Sequence, residues 1–155
     1  LEWKDAEAGV PWGVLLLFGG GLSLAAAAQS SGLAAWIGGS MPTGLNIFLL
    51  VIIFTTLIIF LTELTSNLAT TATFLPIVAI IATQFGFNPL LLTASIAIAA
   101  SCAFMLPVAA PPNAIVFGSE LIKVPQMMRA GIAINLIAII IVSLAGIYLV
   151  PYFLI

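Results

Sequence analysis

The sequence predicts an all-α, multi-pass membrane protein, and three observations carry that prediction. Hydrophobic residues make up 63% of the 155-residue chain and charged residues only 5%, whereas a soluble domain has about 25% charged residues. Glu63 is the only charge between Ala8 and Ser119. Long apolar stretches interrupted by glycine and proline fill the remainder. The bilayer is therefore the expected solvent, and the cell membrane is the expected location.

The same composition excludes several classes of function. The formal net charge is -2, so there is no basic field to hold nucleic acid. Histidine is absent from the sequence, and no metal cluster, phosphate-binding loop or nucleophile–base pair is visible in it. The single cysteine, Cys102, has no partner for an internal disulfide and is interpreted as a small packing residue. An enzyme is therefore not expected.

The first two segments predict one crossing followed by a connector. Residues 11–29 open on a proline suited to a helix start and are long enough to cross the bilayer once. The glycines at positions 19–21 favour close helix packing. Residues 30–43 are less apolar and include Trp36, so we expect an interfacial connector there.

Residues 45–84 consist of two apolar limbs around a polar centre at residues 62–67, with the sequence TELTSN. Each limb is at the short end of the length needed to cross a bilayer, and Pro76 is expected to kink the second limb. A re-entrant hairpin fits this pattern, and so do two full spans joined by an ordinary cytoplasmic loop. Serine, threonine and asparagine favour turns and helix caps in both cases.

The last two segments are a broken helix and a span. Residues 89–119 predict a helix that is interrupted at residues 107–113, where three prolines lie within six residues. Residues 127–151 form an uninterrupted apolar span. The preceding loop carries Lys123 and Arg129 and is predicted to be cytoplasmic. The number of crossings between Lys4 and Lys123 is then even, which both versions of residues 45–84 satisfy.

Two interruptions, at residues 62–73 and 107–113, are expected to place polar groups at membrane depth. Unsatisfied backbone is so costly in lipid that it persists only against protein or a water-filled cavity. If the interruptions face each other, helix N-termini suit an anion, and carbonyl, Asn and Thr oxygens suit Na⁺. Taken separately, the first could be a plain loop and the second a plain kink. Glu63, the only acid within the membrane, either couples to transport, bonds amides at the hairpin tip or faces water.

The residues at these interruptions resemble the divalent anion:sodium symporter family, whose members carry dicarboxylates, citrate and, in some branches, sulfate. The resemblance rests on residues 62–70, TELTSNLAT, and on residues 106–118, LPVAAPPNAIVFG. It extends over essentially the whole chain, but only over the second of the family's two inverted repeats. It implies the second inverted repeat of a secondary transporter, with a re-entrant helical hairpin at 45–84 and a discontinuous helix at 89–119.

The resemblance also implies roles for particular residues, because the family places a Ser-Asn-Thr motif at each hairpin end. It implies a substrate-binding set of Ser66, Asn67, Leu68, Ala110 and Pro111. It implies a Na⁺ set, binding partly through backbone carbonyls, of Thr62, Thr65, Asn67 and Ala109.

The chain departs from the family pattern at Leu68, which stands where the motif has threonine. A hydroxyl that could bond a substrate carboxylate is missing there, and such a contact is worth about 1–3 kcal/mol. Ala110 lacks the hydroxyl that family members often carry at its position. The identity of the anion, whether a dicarboxylate, citrate or sulfate, therefore stays open.

The expected function is secondary active transport of a small di- or multivalent anion, coupled to Na⁺ by alternating access. The alternatives are a sodium-independent organic anion exchanger and a non-transporting membrane structural subunit. The expected partners are the substrate anion, the lipid bilayer, an N-terminal repeat outside this chain, and a second copy in a homodimer.

Overall fold

The computed structural model of the chain describes residues 3, 12–33, 36 and 46–154, and every regular element in that part is helical. The all-α prediction is therefore confirmed for the described residues. In chain order the helices are α1 Trp12–Ser30, α2 Ile47–Thr62, α3 Asn67–Gln84, α4 Pro89–Ala99, α5 Pro111–Gly118 and α6 Val124–Leu154. Most of the predicted connector at 30–43 and the N-terminal charges, including Lys4, lie outside the described residues.

The helices α2, α3 and α4 each begin at a side-chain cap. Asn46 Oδ1 accepts a hydrogen bond from Leu49 N at 2.8 Å at the start of α2, and Asn88 Oδ1 accepts one from Leu90 N at 3.0 Å at the start of α4. Ser66 caps α3 in the same way. The helix α3 continues through Pro76, where the sequence predicts a kink.

The helix α2 is apolar on every side, as expected of a helix with protein on one face and lipid on the other. Its buried residues recur at helical spacing: Leu50, Val51, Phe54, Thr55, Ile58, Ile59 and Thr62. Large apolar side chains on its other face, including Phe48, Ile53 and Leu57, are exposed. The same combination of a buried stripe and exposed isoleucines and leucines occurs on α6.

The helix α4 lies at the centre of the packing and contacts α2, α3 and α6, while α2 also packs on α6 and α1 packs on α3. The helices α2 and α3 are adjacent in the chain but make few contacts with each other. The crossing of α4 and α6 is close, because a Cβ added at Gly146 would meet Ser95 Oγ and would lie 3.1 Å from Ser95 Cβ. The closely packed helix α4 therefore contacts both α2 and α3, the two helices that flank the polar residues 62–67.

The predicted position of the second interruption is wrong. The sequence predicts a helix through Leu106, but α4 ends at Ala99 and the next helix starts at Pro111, so the break covers residues 100–110. The prolines at 111 and 112 lie in the first turn of α5, where no amide hydrogen is needed. Pro107 disfavours a continuous helix at this point, since its ring would crowd the carbonyl four residues earlier.

The last helix is longer than predicted and includes both flanking prolines. The helix α6 begins at Val124, so Pro125 lies in its first turn, and it continues past Pro151. By length and composition, two of the described helical stretches are able to cross a membrane, Asn67–Gln84 and Val124–Phe153. The re-entrant hairpin and the number of crossings stay predictions.

Candidate functional site

Three oxygen atoms meet where the tip, residues 62–67, contacts the break. Thr62 is fully buried, and its Oγ1 lies 2.6 Å from Asn67 Oδ1 and 3.0 Å from the carbonyl oxygen of Ala100. A hydroxyl has one proton to donate, so Thr62 can satisfy one of these oxygens at a time. The cluster therefore has more acceptors than donors, and oxygen atoms alone are a suitable donor set for a hard cation.

The remaining side chains of the tip stabilise the turn between α2 and α3 locally. Ser66 Oγ accepts a hydrogen bond from Ala69 N at 3.0 Å. Thr65 Oγ1 donates to the carbonyl oxygen of Leu61 at 3.0 Å, so Thr70 supplies the proton for the 2.6 Å contact between the two threonine hydroxyls. The backbone amides of Asn67 and Leu68 in the first turn of α3 have no acceptor among the described residues. These two amides can donate to a ligand.

Glu63 connects the tip directly to the break. Its Oε1 accepts hydrogen bonds from the backbone N of Phe104 at 2.8 Å and of Met105 at 2.9 Å, and its Oε2 accepts one from Leu106 N at 3.0 Å. The residue is 3% exposed. One carboxylate therefore satisfies three consecutive amides of the non-helical break.

A side chain from α6 completes the surroundings of this carboxylate. Asn135 is fully buried and its Nδ2 donates to Glu63 Oε1 at 2.7 Å. Every hydrogen bond described for the carboxylate is received from an N–H group, as the ionised form requires. Asn135 Oδ1 has no partner among the described residues. The tip, the break and α6 thus meet at a single acidic group.

Two further residues stabilise the break, Asn113 of α5 and Gly131 of α6. Asn113 of α5 is 9% exposed, and its Nδ2 donates to the carbonyl oxygens of Ala103 at 2.9 Å and Leu106 at 3.0 Å. Gly131 lies against the break, because a Cβ there would meet Phe104 O and would lie 2.5 Å from Met105 Cα. The irregular backbone is therefore fixed by side-chain bonds and by close packing.

The remaining predicted residues lie in the break or at the start of α5. Ala109 is buried, Ala110 is the half-buried N-cap of α5 and provides no side-chain cap, and Pro111 is exposed. Among the residues that the structure describes, no hydrogen bond joins these three to the tip. Because the first two residues of α5 are prolines, that helix start has its positive dipole end but no amide hydrogens at those positions.

Two cavities flank the region. One of about 120 Å³ lies beside the tip and is lined by three threonines, Thr65, Thr70 and Thr73, together with apolar side chains. A larger one of about 490 Å³ lies between the break, α5 and the start of α6, and its lining is mostly apolar apart from residues such as Asn113 and Gln126. The linings of both cavities are mainly apolar, and the small one adjoins the predicted residues.

The predicted site residues therefore fall into two groups. Thr62 and Asn67 of the Na⁺ set are in contact, whereas the Thr65 hydroxyl is bonded within the tip and Ala109 is on the break. Sequence reasoning missed the Ala100 carbonyl and Asn135. The signal for Asn135 is visible, since it is an amide in an otherwise apolar span, four residues after a glycine. Such residues face the protein interior in membrane helices.

Comparison with known proteins gives the family. A family model described as the sodium:sulfate symporter transmembrane region matches residues 1–155. The chain is 44% identical over 153 residues to a sodium-dependent dicarboxylate transporter, SdcS, of Staphylococcus saprophyticus. It is 48% identical over 153 residues to SdcS of Staphylococcus aureus strain MRSA252. Each match covers 97% of this chain but only 29% of the relative, so the chain spans less than a third of the length of these curated relatives.

These matches confirm the resemblance read from residues 62–70 and 106–118, and the family is one of transporters and not of enzymes. They agree with the apolar helices in indicating a membrane protein. The chain belongs to the sodium:sulfate symporter family of membrane transport proteins.

Proposed function

We propose that this chain provides one ion- and substrate-binding half of a sodium-coupled carrier for a small di- or multivalent anion. The observation that carries the proposal is a cluster of three oxygen atoms. Thr62 Oγ1 lies 2.6 Å from Asn67 Oδ1 and 3.0 Å from the carbonyl oxygen of Ala100. The site joins the end of one helix to an unwound segment of another. Secondary transporters commonly bind their coupling ion between such elements.

Na⁺ would bind to the proposed set of Thr62, Thr65, Asn67 and Ala109, and we add the Ala100 carbonyl to this set because it lies 3.0 Å from Thr62 Oγ1. Two of these groups already lie within bonding distance of Thr62. Rotation of the Thr65 hydroxyl away from Leu61 would add another oxygen. A cation also resolves the shortage of protons in the cluster, because all three oxygens can then face a positive charge.

The anion would bind to the proposed set of Ser66, Asn67, Leu68, Ala110 and Pro111. The unpartnered amides at Asn67 and Leu68 in the first turn of α3 support this placement, since such amides and the positive end of a helix dipole attract anions. The start of α5 offers the dipole but lacks two amide hydrogens. We therefore expect α3 to supply the hydrogen bonds to the anion.

A dicarboxylate is the first candidate substrate, because the relatives named above are sodium-dependent dicarboxylate transporters. Sulfate is the second candidate, and Leu68 is the observation that favours it. The Leu68 side chain is 45% exposed at the start of α3, where it offers a substrate no hydroxyl. The re-entrant hairpin, alternating access and a homodimer are part of the same proposal.

Uptake by the full-length protein in liposomes tests the proposal. We expect a sodium gradient to drive uptake of succinate, citrate or sulfate against its own concentration gradient. Uptake that is unchanged when choline replaces sodium would indicate an exchanger instead. The absence of both uptake and sodium-dependent thermal stabilisation would indicate a structural subunit.

Changing Leu68 to threonine tests which anion is carried. Leu68→Thr adds a hydroxyl worth about 1 kcal/mol to a bonded carboxylate, so we expect succinate uptake to rise several-fold relative to sulfate. The measurement is competition between the two labelled anions at saturating sodium. Leu64→Thr, at the more exposed leucine of the tip, is the control and should leave the ratio unchanged. An unchanged ratio in Leu68→Thr would show that this side chain does not select the substrate.

A further inference from the structure

We propose that Glu63 and Asn135 form a positioning pair that fixes the shape of the break and thereby sets the affinity of the cation site at Thr62 and Asn67. The inference rests on the sodium coupling proposed above. Neither residue is placed in contact with the cation or the anion. Their effect is transmitted through the backbone of residues 100–110.

Glu63 fixes the geometry of the break through the backbone amides of that segment. The amides of residues 100–102 still donate to carbonyls of α4, but those of residues 104–106 lie in the irregular segment beyond them and have no helical acceptor. Glu63 accepts hydrogen bonds from all three of the latter amides at 2.8–3.0 Å. Fixing three consecutive peptide groups also fixes the direction of their carbonyls. The Ala100 carbonyl that contacts Thr62 lies at the start of the same segment.

The Glu63 carboxylate and the cation site at Thr62 are adjacent in the chain. Thr62 provides the oxygen at the centre of the cluster, and the next residue, Glu63, holds the break. Any movement of the Glu63 carboxylate therefore shifts both the tip and the segment that carries Ala100. The pair acts on the cation site from both sides.

The surroundings of the buried Glu63 carboxylate determine how its charge is stabilised. Glu63 is 3% exposed, and the basic side chains among the described residues, Lys123 and Arg129, are both exposed. The negative charge is therefore stabilised by N–H groups and not by a neighbouring cationic side chain. Hydrogen bonds to an ionised group are stronger than neutral ones, so the carboxylate holds these amides more firmly than an amide side chain would.

The helix α6 contacts both the Glu63 carboxylate and the break. The Nδ2 of Asn135 reaches Glu63 Oε1 at 2.7 Å, and one turn earlier Gly131 lets α6 approach Phe104 and Met105. The helix α6 therefore supports the carboxylate and the break at two successive turns. Asn135 keeps the carboxylate oriented towards the amides, which is the positioning role that the proposal assigns to it.

Glu63→Gln in the full-length protein tests the pair. The substitution keeps the volume but removes the charge and turns an NH₂ group towards a backbone amide. We expect the half-saturating sodium concentration to rise about tenfold, since charge-assisted bonds to the break are lost. It is measured twice, from uptake in liposomes and from sodium-dependent thermal stabilisation of the purified protein. The substrate KM at saturating sodium should change much less.

The matched control is Glu120→Gln, at an exposed acid beyond α5 that should leave sodium affinity within about twofold of wild type. Asn135→Ala keeps the three backbone bonds to Glu63 and is expected to raise the half-saturating sodium concentration about threefold. It decides the question if Glu63→Gln does not fold. A purely structural role would lower the melting temperature in sodium-free buffer and leave the half-saturating concentration unchanged.

The proposal is overturned if the folded variants keep half-saturating sodium concentrations within about twofold of wild type. A wild-type protein without sodium dependence in either assay would instead overturn the proposed function. The two failures are therefore distinguishable, because the first leaves wild-type sodium coupling intact.

Discussion

The tip at residues 62–67 and the break at residues 100–110 both interrupt helices, but they are stabilised in different ways. Within the tip, Ser66 Oγ accepts the amide of Ala69, and Thr65 Oγ1 is hydrogen-bonded to Leu61 O and Thr70 Oγ1. These bonds span at most five residues of the chain. The break instead receives bonds from Glu63, which is 41 to 43 residues away in the chain. Apart from Thr62 and Glu63, which contact the break, the tip is a local structure, whereas the break depends on contacts between distant segments.

This difference separates the parts expected to bind ligands from the parts expected to hold them in place. The tip offers free amides and an oxygen cluster because its own side chains already satisfy the turn. Three amides of the break are occupied by Glu63, and two of its carbonyls are occupied by Asn113. Substitutions in the tip should therefore change transport more than stability, and substitutions around the break should change stability first.

The largest expected effect comes from comparing two asparagines. Asn67→Ala removes one oxygen of the cluster from a half-buried tip residue, and we expect sodium-coupled uptake to fall to background while the protein remains in the membrane. Asn113→Ala leaves the buried carbonyl of Ala103 without a donor, although Leu106 O keeps the amide of Ala109, and should lower stability by about 2 kcal/mol. Uptake in liposomes and thermal unfolding in detergent measure the two effects.

Asn88→Ala is the control for both, because it removes an exposed helix cap at the start of α4. It should cost about 1 kcal/mol of stability and leave sodium-coupled uptake unchanged. Uptake by Asn67→Ala at the wild-type rate would remove that residue from the site. It would also contradict the division between a binding tip and a supporting break.

A smaller effect is expected at Gly131, where α6 meets the break. Gly131→Ala places a Cβ against Phe104 O and Met105 Cα, which are backbone atoms that cannot rotate away. We expect a loss of about 1–3 kcal/mol in stability, together with reduced uptake because the break is displaced. Gly118→Ala at the end of α5 has open space around it and should be neutral. Equal melting temperatures for both variants would show that α6 does not support the break closely.

The smallest expected effect concerns a hydroxyl that belongs to neither interruption. Thr55 of α2 is fully buried, and its Oγ1 has no hydrogen-bond partner among the described residues. Thr55→Val removes that unsatisfied group at equal volume and should raise stability by about 1 kcal/mol without changing uptake. Thr93→Val is the comparison, since Thr93 donates to the carbonyl of Pro89 at 3.0 Å and should gain nothing. A destabilised Thr55→Val would indicate an unseen partner for this hydroxyl.

The same contrast explains how far the sequence could predict the structure. The tip could be located because serine, threonine and asparagine act on neighbouring residues, and the predicted limbs end close to the observed helices. The start of the break could not be located, because the bonds from Glu63 to the amides of 104–106 span 41 to 43 residues. The role of Asn135 depends on a contact across 72 residues. Proline positions alone favoured a later interruption.

The paired prolines that open α5 have a consequence for how quickly a bound anion can leave. Pro111 and Pro112 let the helix start project its electric field without a hydrogen atom at either position. Under the proposed function, an anion near α5 would be attracted by this dipole end but would receive no hydrogen bond from positions 111 and 112. Such weak orientation would shorten the time for which the anion stays bound and would favour rapid release.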